Sequence, residues 1–432
     1  LASGASQTGF GRTGTVDWIT TPKVTGDSPV TGVTGKGYFL DTTAGTITLN
    51  LPAGSAGDIV SMADYAGTWQ TNNVTLAANG TEKIGGVAED VTLSTEGQSV
   101  TLVYTDSTQG WINTMDSTSN VRGVPPYIGA TGGNAIATCG NFKTHIFTGP
   151  GAFCVSRAAV CAADNVVDYL VVAGGGGGAG ANGPGCGGRG GGGAGGGRTF
   201  QSTPSTNPLT APAGITVSVS PYTITVGGGG TAGPPSASGG NGNTSTFDSI
   251  TSTGGGFGAT HPASGGPGGS GGGTYAGDSA GVGNTPPVSP PQGNSAVPAA
   301  VSGGTGGGGW GAAPPGSSPT NAGTAGGAGS YLYDVFVGPT APSYGEAGPV
   351  GSTRYFAGGG GGGGYNAAGG AGGVGGGGCG VNSYGPGGCG SPAIPGTINT
   401  GGGGGSVGAA GPGGTFGGAG GSGVVMIRYR YQ

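Results

Sequence analysis

Between residues 14 and 116, short apolar runs with period-two alternation are separated by Gly, Asn, Asp and Pro. They are GYFL (37–40), TITLNL (46–51), DIVSMA (58–63), NVTLAA (73–78), DVTLS (90–94), SVTLVYT (99–105) and GWINT (110–114). This period, rich in Thr, Val and aromatic residues, buries one face of each strand and predicts an all-β domain. Nothing in this stretch shows a helix start followed by a 3.6-residue apolar period. Further apolar runs follow at GNFKTHIFTGPGAFCV (140–155), VVDYLVVA (166–173), ITVSVSPYTITV (215–226), STFDSITST (245–253) and SGVVMIRYRYQ (422–432). THIFTGPGAFCV reads as two strands around a Gly-Pro-Gly turn. These runs are far apart, and strands need partners. They are therefore expected to pair into one β-base, from which the intervening glycine segments leave and to which they return.

The glycine content sets the domain organisation. Only 19 of the 116 glycines fall in residues 1–130, so the remaining 302 residues are about one-third glycine. The sequence thus divides into an all-β module (1–122), a linker (123–138) containing RGVPPYIGATGG, and a glycine-rich domain (139–432). Glycine runs occur at 174–178, 190–193, 195–197, 227–230, 306–309, 358–364, 375–378 and 401–405. A flexible linker is the ordinary reading of such sequence, but strands interrupt every run and the chain ends on one. Collagen requires glycine at every third position, and GGGTYAGDSAGVGNTPP breaks that register. The expected solution is a bundle of polyglycine-II helices, each an extended threefold screw rising about 3.1 Å per residue. Such a helix makes no internal hydrogen bonds, so its amides must pair with neighbouring segments. The fold class read from the sequence is mainly β with a polyglycine-II helical bundle and essentially no α-helix.

Charge and motif content narrow the function. Charged residues make up 7% of the chain and the net charge is −5, without the clustered Lys and Arg that nucleic acid requires. No apolar run approaches a membrane span of about 20 residues. The sequence starts at Leu1, not Met, and LASGASQTGF has no signal-peptide core, so it reads as a fragment or a processed product. Chance GxGxxG matches within 174–197 lack the following helix and acid of a dinucleotide fold. Walker-type, H-E-x-x-H and G-x-S-x-G motifs are absent, and His145 and His261 are the only imidazoles. His145, in a strand, reads as structural. No enzyme activity, metal or cofactor is expected. The six cysteines have no C-x-x-C spacing and allow 15 pairings. A disulfide between Cys379 and Cys389 would close CGVNSYGPGGC; free thiols are the alternative.

The order NLPAGSAGDIV, NNVTLAANGTEKIGG, TLSTEGQSVTLVY and GW resembles a β-module that recurs in bacteriophage tail fibres. The order YLVVAGGGGG, TITVGGGG, ITSTGGGFGA and GGSGVVMIRYRY resembles the glycine-rich domain of phage tail and adhesin proteins. A similar element occurs in the ectodomain of the anaplastic lymphoma kinase receptor. Together these resemblances imply an extracellular, virion-borne tail-fibre or adhesin protein attached to other virion tail proteins. The implied assembly is a homotrimer, and the implied target is a host-surface glycan or outer-membrane protein. A structural filament subunit without receptor binding is the alternative, and a fibre with glycan-degrading activity is a third reading. Inserts between glycine runs would collect at the two ends of a bundle, where loops over a rigid scaffold serve recognition. Their candidate contacts are His261, Trp310, Tyr331, Tyr333, Phe336, Tyr344, Arg354, Tyr355, Phe356 and Tyr384. Segment 331–356, with six aromatics, Arg354, Asp334 and Glu346, is the leading candidate.

Overall fold

The first six strands of the N-terminal part alternate between two sheets. A computed structural model describes residues 16–117, 127–182, 187–202, 207–300, 302–316, 320–382, 393–408 and 414–432. The chain separates into two units, Leu1–Val124 and Pro125–Gln432.

In the first unit one sheet has the order Asp17–Val24, Lys36–Asp41, Ile59–Asp64, Ser99–Tyr104, Trp111–Ser117. The other runs Val30–Thr31, Ile47–Asn50, Val74–Ala77, Val91–Leu93. The first two pairings in each sheet are parallel and the rest antiparallel. Register stacks like positions into ladders: Leu49 lies opposite Leu76, and Ile47 opposite Val74, which faces Leu93. These inward positions, with Tyr38, Leu40, Val60, Met62, Val100 and Leu102, close a core around the buried Trp69 and Trp111. All seven apolar runs of 37–114 form strands; Asp17–Val24 and Val30–Thr31 are additional.

The second unit begins inside the expected linker. Gly129–Thr131 and Ala135–Cys139 are strands, pairing with Gly151–Arg157 and Phe142–Phe147 respectively. The Gly-Pro-Gly turn proves to be a corner between sheets. Phe142–Phe147 belongs to a sheet ordered Ala135–Cys139, Phe142–Phe147, Val424–Arg430, Val166–Val172, Gly197–Phe200. Gly151–Arg157 belongs to another, ordered Gly129–Thr131, Gly151–Arg157, Pro221–Thr225, Ser245–Phe247, Ile250–Ser252. The run 215–226 is likewise split, because Ile215–Thr216 pairs with Val166–Val172 and Pro221–Thr225 joins the second sheet.

The C-terminal strand is central and buried on both faces, which explains its continuous apolar run. Val425, Ile427 and Tyr429 enter a core shared with Phe153, Val155, Ile224 and Phe247 of the second sheet. Val424 and Met426 enter another core with Leu170, Val172, Trp310, Leu332 and Phe356. Buried Arg428 lies 3.6 Å from Asp168 on the adjacent strand, and burial pushes the Asp168 carboxyl up against the opposing pull of Arg428. His145 is fully buried, with Nδ1 2.6 Å from the Gly132 carbonyl and Nε2 3.1 Å from the Tyr429 hydroxyl. A carbonyl can only accept, so Nδ1 carries the proton and Nε2 accepts from Tyr429. Burial holds His145 below its ordinary pKa and pushes Tyr429 up to about 12.

The glycine segments between these strands are neither strand nor α-helix. None of the glycines at 174–178, 190–193, 195–197, 227–230, 306–309 or 358–364 has a left-handed φ. Their hydrogen bonds rotate with a period of three. Amides of Gly174, Gly177 and Gly180 donate to the carbonyls of Asn243, Gly240 and Ala237. Those of Gly175, Gly178 and Ala181 donate to Gly421, Gly418 and Thr415, and those of Gly176 and Ala179 to Gly193 and Gly190. The carbonyls of the same segment accept with the same period: Gly174 and Gly177 from Gly255 and Gly258, Gly175 and Gly178 from Gly230 and Gly233, Gly176 and Ala179 from Gly404 and Val407. Segment 173–181 is therefore bonded to six surrounding segments. Segments 189–196 and 358–363 are bonded in the same manner.

Close approach makes this possible. A Cβ on Gly176 would lie 2.1 Å from the Gly256 carbonyl oxygen, and one on Gly360 2.1 Å from that of Gly404. Among the described residues the second unit has one α-helix, Asp334–Val337. Cys139, Cys154 and Cys161 are free thiols. Cys379 is disulfide-bonded, while Cys389, its expected partner, lies outside the described residues.

Candidate functional site

The hydrogen-bond ladder distinguishes two ends of the glycine array. At the strand end, Ala173 pairs with Gly196, Gly196 with Thr253, Gly423 with Gly227 and Trp310 with Ala357. At the far end, Gly180 pairs with Ala237, Gly190 with Ala259, Ala259 with Gly273, Thr305 with Thr274 and Tyr365 with Asn321.

Segment 331–356 lies at the strand end, and its side chains are largely committed there. Ser330–Tyr333, Thr353–Phe356 and Glu346–Ala347 form a small antiparallel sheet. Phe336 and Phe356 are fully buried in the core they share with the C-terminal strand, and the Thr144 hydroxyl donates to the Phe336 carbonyl at 2.6 Å. Arg354 does not point outward for an anion: its guanidinium donates to the carbonyls of Tyr344 (2.8 Å), Gly345 (2.7 Å) and Pro342 (3.3 Å). Glu346 accepts from the amides of Gly375 at 2.7 Å and Gly376 at 2.8 Å, which anchors the segment to a glycine turn. Tyr355 is buried against Tyr331, with ring centroids 5.3 Å apart. Tyr331, Tyr333 and Tyr344 are half-buried.

Trp310 is also removed from the surface, at 1% exposure. Its indole lies over Gly197, where a Cβ would come within 2.3 Å of the ring. Of the residues read as contacts, Trp310, Phe336, Tyr355 and Phe356 are therefore core residues. The physical reason is that the glycine segments supply no apolar side chains, so the interspersed aromatics are drawn into the core beside the sheets. Tyr384 lies outside the described residues.

His261 alone of the described candidates stands exposed at the far end. Its Nδ1 is 3.1 Å from Asp278 Oδ2, and its ring meets Tyr275 edge-on at 5.5 Å. The His261 side chain is 59% exposed, while Asp278 is largely covered. Tyr275 and Asp278 come from GGGTYAGDSAGVG, the stretch that breaks the collagen register, and Tyr365 occupies another far-end turn. Three isolated polar or aromatic residues flanked by glycine were the available sequence signal for this cluster.

Residues 148–430, running from the first corner of the sheets through every glycine segment to the last strand, match the model of a family described as a glycine-rich domain. The chain belongs to the glycine-rich domain family. That match covers most of the second unit, including the strands on which the glycine segments begin and end. A separate similarity joins the chain to baseplate wedge protein gp10 of Enterobacteria phage T4, 36% identical over 73 residues. It spans 16% of this chain and 12% of that protein's length. Among the described residues, no helix is long and apolar enough to cross a membrane.

Proposed function

We propose that this glycine-rich protein is a non-enzymatic virion component of the phage tail, and that it attaches to a host surface through the far-end turns of a polyglycine-II bundle. The observation that carries this reading is the three-residue rotation of hydrogen-bond partners around segment 173–181, which brings six neighbours to one glycine segment. An extended threefold screw of about 3.1 Å rise per residue has that periodicity. Backbone hydrogen bonds in such an array stiffen it without using side chains, which leaves the turns free to vary. One end is occupied by the sheets, so recognition falls to the other. The similarity to a phage baseplate protein supports the virion context. A host-surface glycan or outer-membrane protein is the receptor class, and a homotrimer built on the first unit is the proposed assembly.

The test combines binding and stability. The double substitution His261→Ala and Tyr275→Ala should weaken binding of the purified chain to candidate host cells by about tenfold or more, the scale of one interface hot spot. The melting temperature should not move for His261→Ala alone, because that side chain is exposed and the array is held by backbone bonds, whereas half-buried Tyr275 packs over Gly187. Tyr344→Ala, at the strand end, should leave cell binding intact. Unchanged binding by the double variant would overturn the far-end site. Loss of self-assembly in place of cell binding would favour a structural filament subunit.

A further inference from the structure

We infer that His145 and Tyr429 form a latch, opened by acid, that fastens strand Gly129–Thr131 to the C-terminal strand. Gly129–Thr131 lies at the edge of its sheet and pairs with Gly151–Arg157 across a register shift. So short a ladder holds a strand weakly, and two further bonds reach it from the core side. The Ala130 amide bonds to the Tyr429 hydroxyl oxygen, and the Gly132 carbonyl accepts from His145 Nδ1 at 2.6 Å. The Tyr429 hydroxyl donates in turn to His145 Nε2 at 3.1 Å. The chain of bonds thus runs from Ala130 through the phenol and the imidazole back to Gly132.

The ring can play this part only when neutral. A proton on Nε2 turns that acceptor into a donor, and the Tyr429 O–H loses its partner. It also places a cation on a fully buried ring that stacks on Tyr429 and meets Phe153 edge-on at 5.2 Å. Burying an unpaired charge is costly. The charges that act on the pair add to the cost. Lys143, on the ring's own strand, opposes the proton, and Arg157 on the facing sheet acts on Tyr429. Side chains alternate along a strand, so Asp168, Arg428, Arg430 and Cys139 project from the other face of the sheet, where Arg428 meets Phe336 and Asp168. Cys154 likewise alternates with the inward Phe153 and Val155, and Tyr169 and Tyr222, which share this core, are phenols. Among the described residues, no carboxylate faces the pair. The opened strand frees a ring that takes up a proton near pH 6.5, whereas burial holds the closed one below that value. The closed latch is therefore favoured in full above about pH 6.5 and loses about tenfold for each unit below it, until the buried ring itself titrates.

Amide hydrogen exchange of the full chain, corrected for the intrinsic rate, reads the latch between about pH 7.5 and 5. Protection of the Gly129–Thr131 amides should fall about tenfold per unit below about pH 6.5. Val166–Val172 and, in the first unit, Ile59–Asp64 should keep theirs. His261→Ala, which removes the other imidazole, should leave the fall in place; His145→Gln, which does not titrate in this range, should abolish it. The imidazole nitrogen chemical shifts of the unsubstituted chain need no variant: the closed form should show a neutral ring protonated on Nδ1. Protection of Gly129–Thr131 that does not change with pH, or a fall shared equally by Val166–Val172, would overturn the latch. So would a fall that persists in His145→Gln, or a charged His145 ring at pH 6 while the strand is still protected.

Discussion

A single methyl group at Gly176 should destabilise the second unit by about 3 kcal/mol or more, the upper range for overpacking a close-packed interior. The Cβ of Gly176→Ala would fall 2.1 Å from the Gly256 carbonyl oxygen and 2.6 Å from its carbon. Both atoms are backbone, so no side-chain rotation can relieve the contact. Moving segment 254–259 away would also break the bonds of Gly255 and Gly258 to Gly174 and Gly177. The control is another glycine in a run, with the opposite expected sign. Gly228 is exposed, has no left-handed φ, and its added Cβ would meet only Asn243 Nδ2 at 3.7 Å. Gly228→Ala should therefore stabilise by about 0.4–1 kcal/mol, because alanine restricts the unfolded chain. Thermal denaturation of the two variants compares them directly. Equal small effects would mean that the glycine segments are not packed as described.

The second large effect is expected at the opposite extreme of the sequence. Ending the chain at Gly423 removes Val424–Arg430, which pairs with Phe142–Phe147 on one side and Val166–Val172 on the other. Both neighbouring strands would lose a ladder, and both cores would open, because Val424 and Met426 face one and Val425, Ile427 and Tyr429 the other. Losing five fully or almost fully buried side chains at about 2–5 kcal/mol each for the larger ones exceeds the stability of an ordinary domain. The second unit should fail to fold, while the first, whose core is its own, keeps its cooperative transition. Limited proteolysis followed by mass spectrometry would show residues 16–117 surviving and the remainder digested. A truncated chain that protects residues 127–423 would contradict the central place given to this strand.

The first unit was legible because its strands carry their own alternation: in Ile47–Asn50 and Val74–Ala77, buried and half-exposed positions follow the sequence pattern residue by residue. Its short parallel strand Val30–Thr31 was not, since two residues carry no period. In the second unit the location of the strands was readable but their partners were not. Phe142–Phe147 and Gly151–Arg157 are adjacent in sequence yet lie in different sheets, and the strand between Phe142–Phe147 and Val166–Val172 comes from the C-terminus. Pairings over such separations leave no local signal. The candidate site was least legible. Aromatic content drew attention to 331–356, but the part of the chain after residue 130, about one-third glycine, has few large apolar side chains, and its cores claimed Trp310, Phe336, Tyr355 and Phe356. Arg354 and Glu346 similarly serve backbone groups that glycine turns expose. The far-end cluster of His261, Tyr275 and Asp278 depends on two turns 14 or more residues apart being brought together by the register of the glycine segments.

Native-state hydrogen exchange across the glycine runs tests the central claim most directly. Amides in regular hydrogen-bonded structure exchange slowly, whereas those of flexible linkers exchange at nearly the unfolded rate. Every amide from Gly174 to Ala181 donates to a backbone carbonyl of another segment, and the residues are buried. The account predicts that these amides, and those of Gly190–Gly196 and Gly358–Gly363, are protected as strongly as the amides of Val424–Arg430, with no three-residue gap in protection along a segment. Exchange at the unfolded rate through 174–181, beside a protected C-terminal strand, would contradict it.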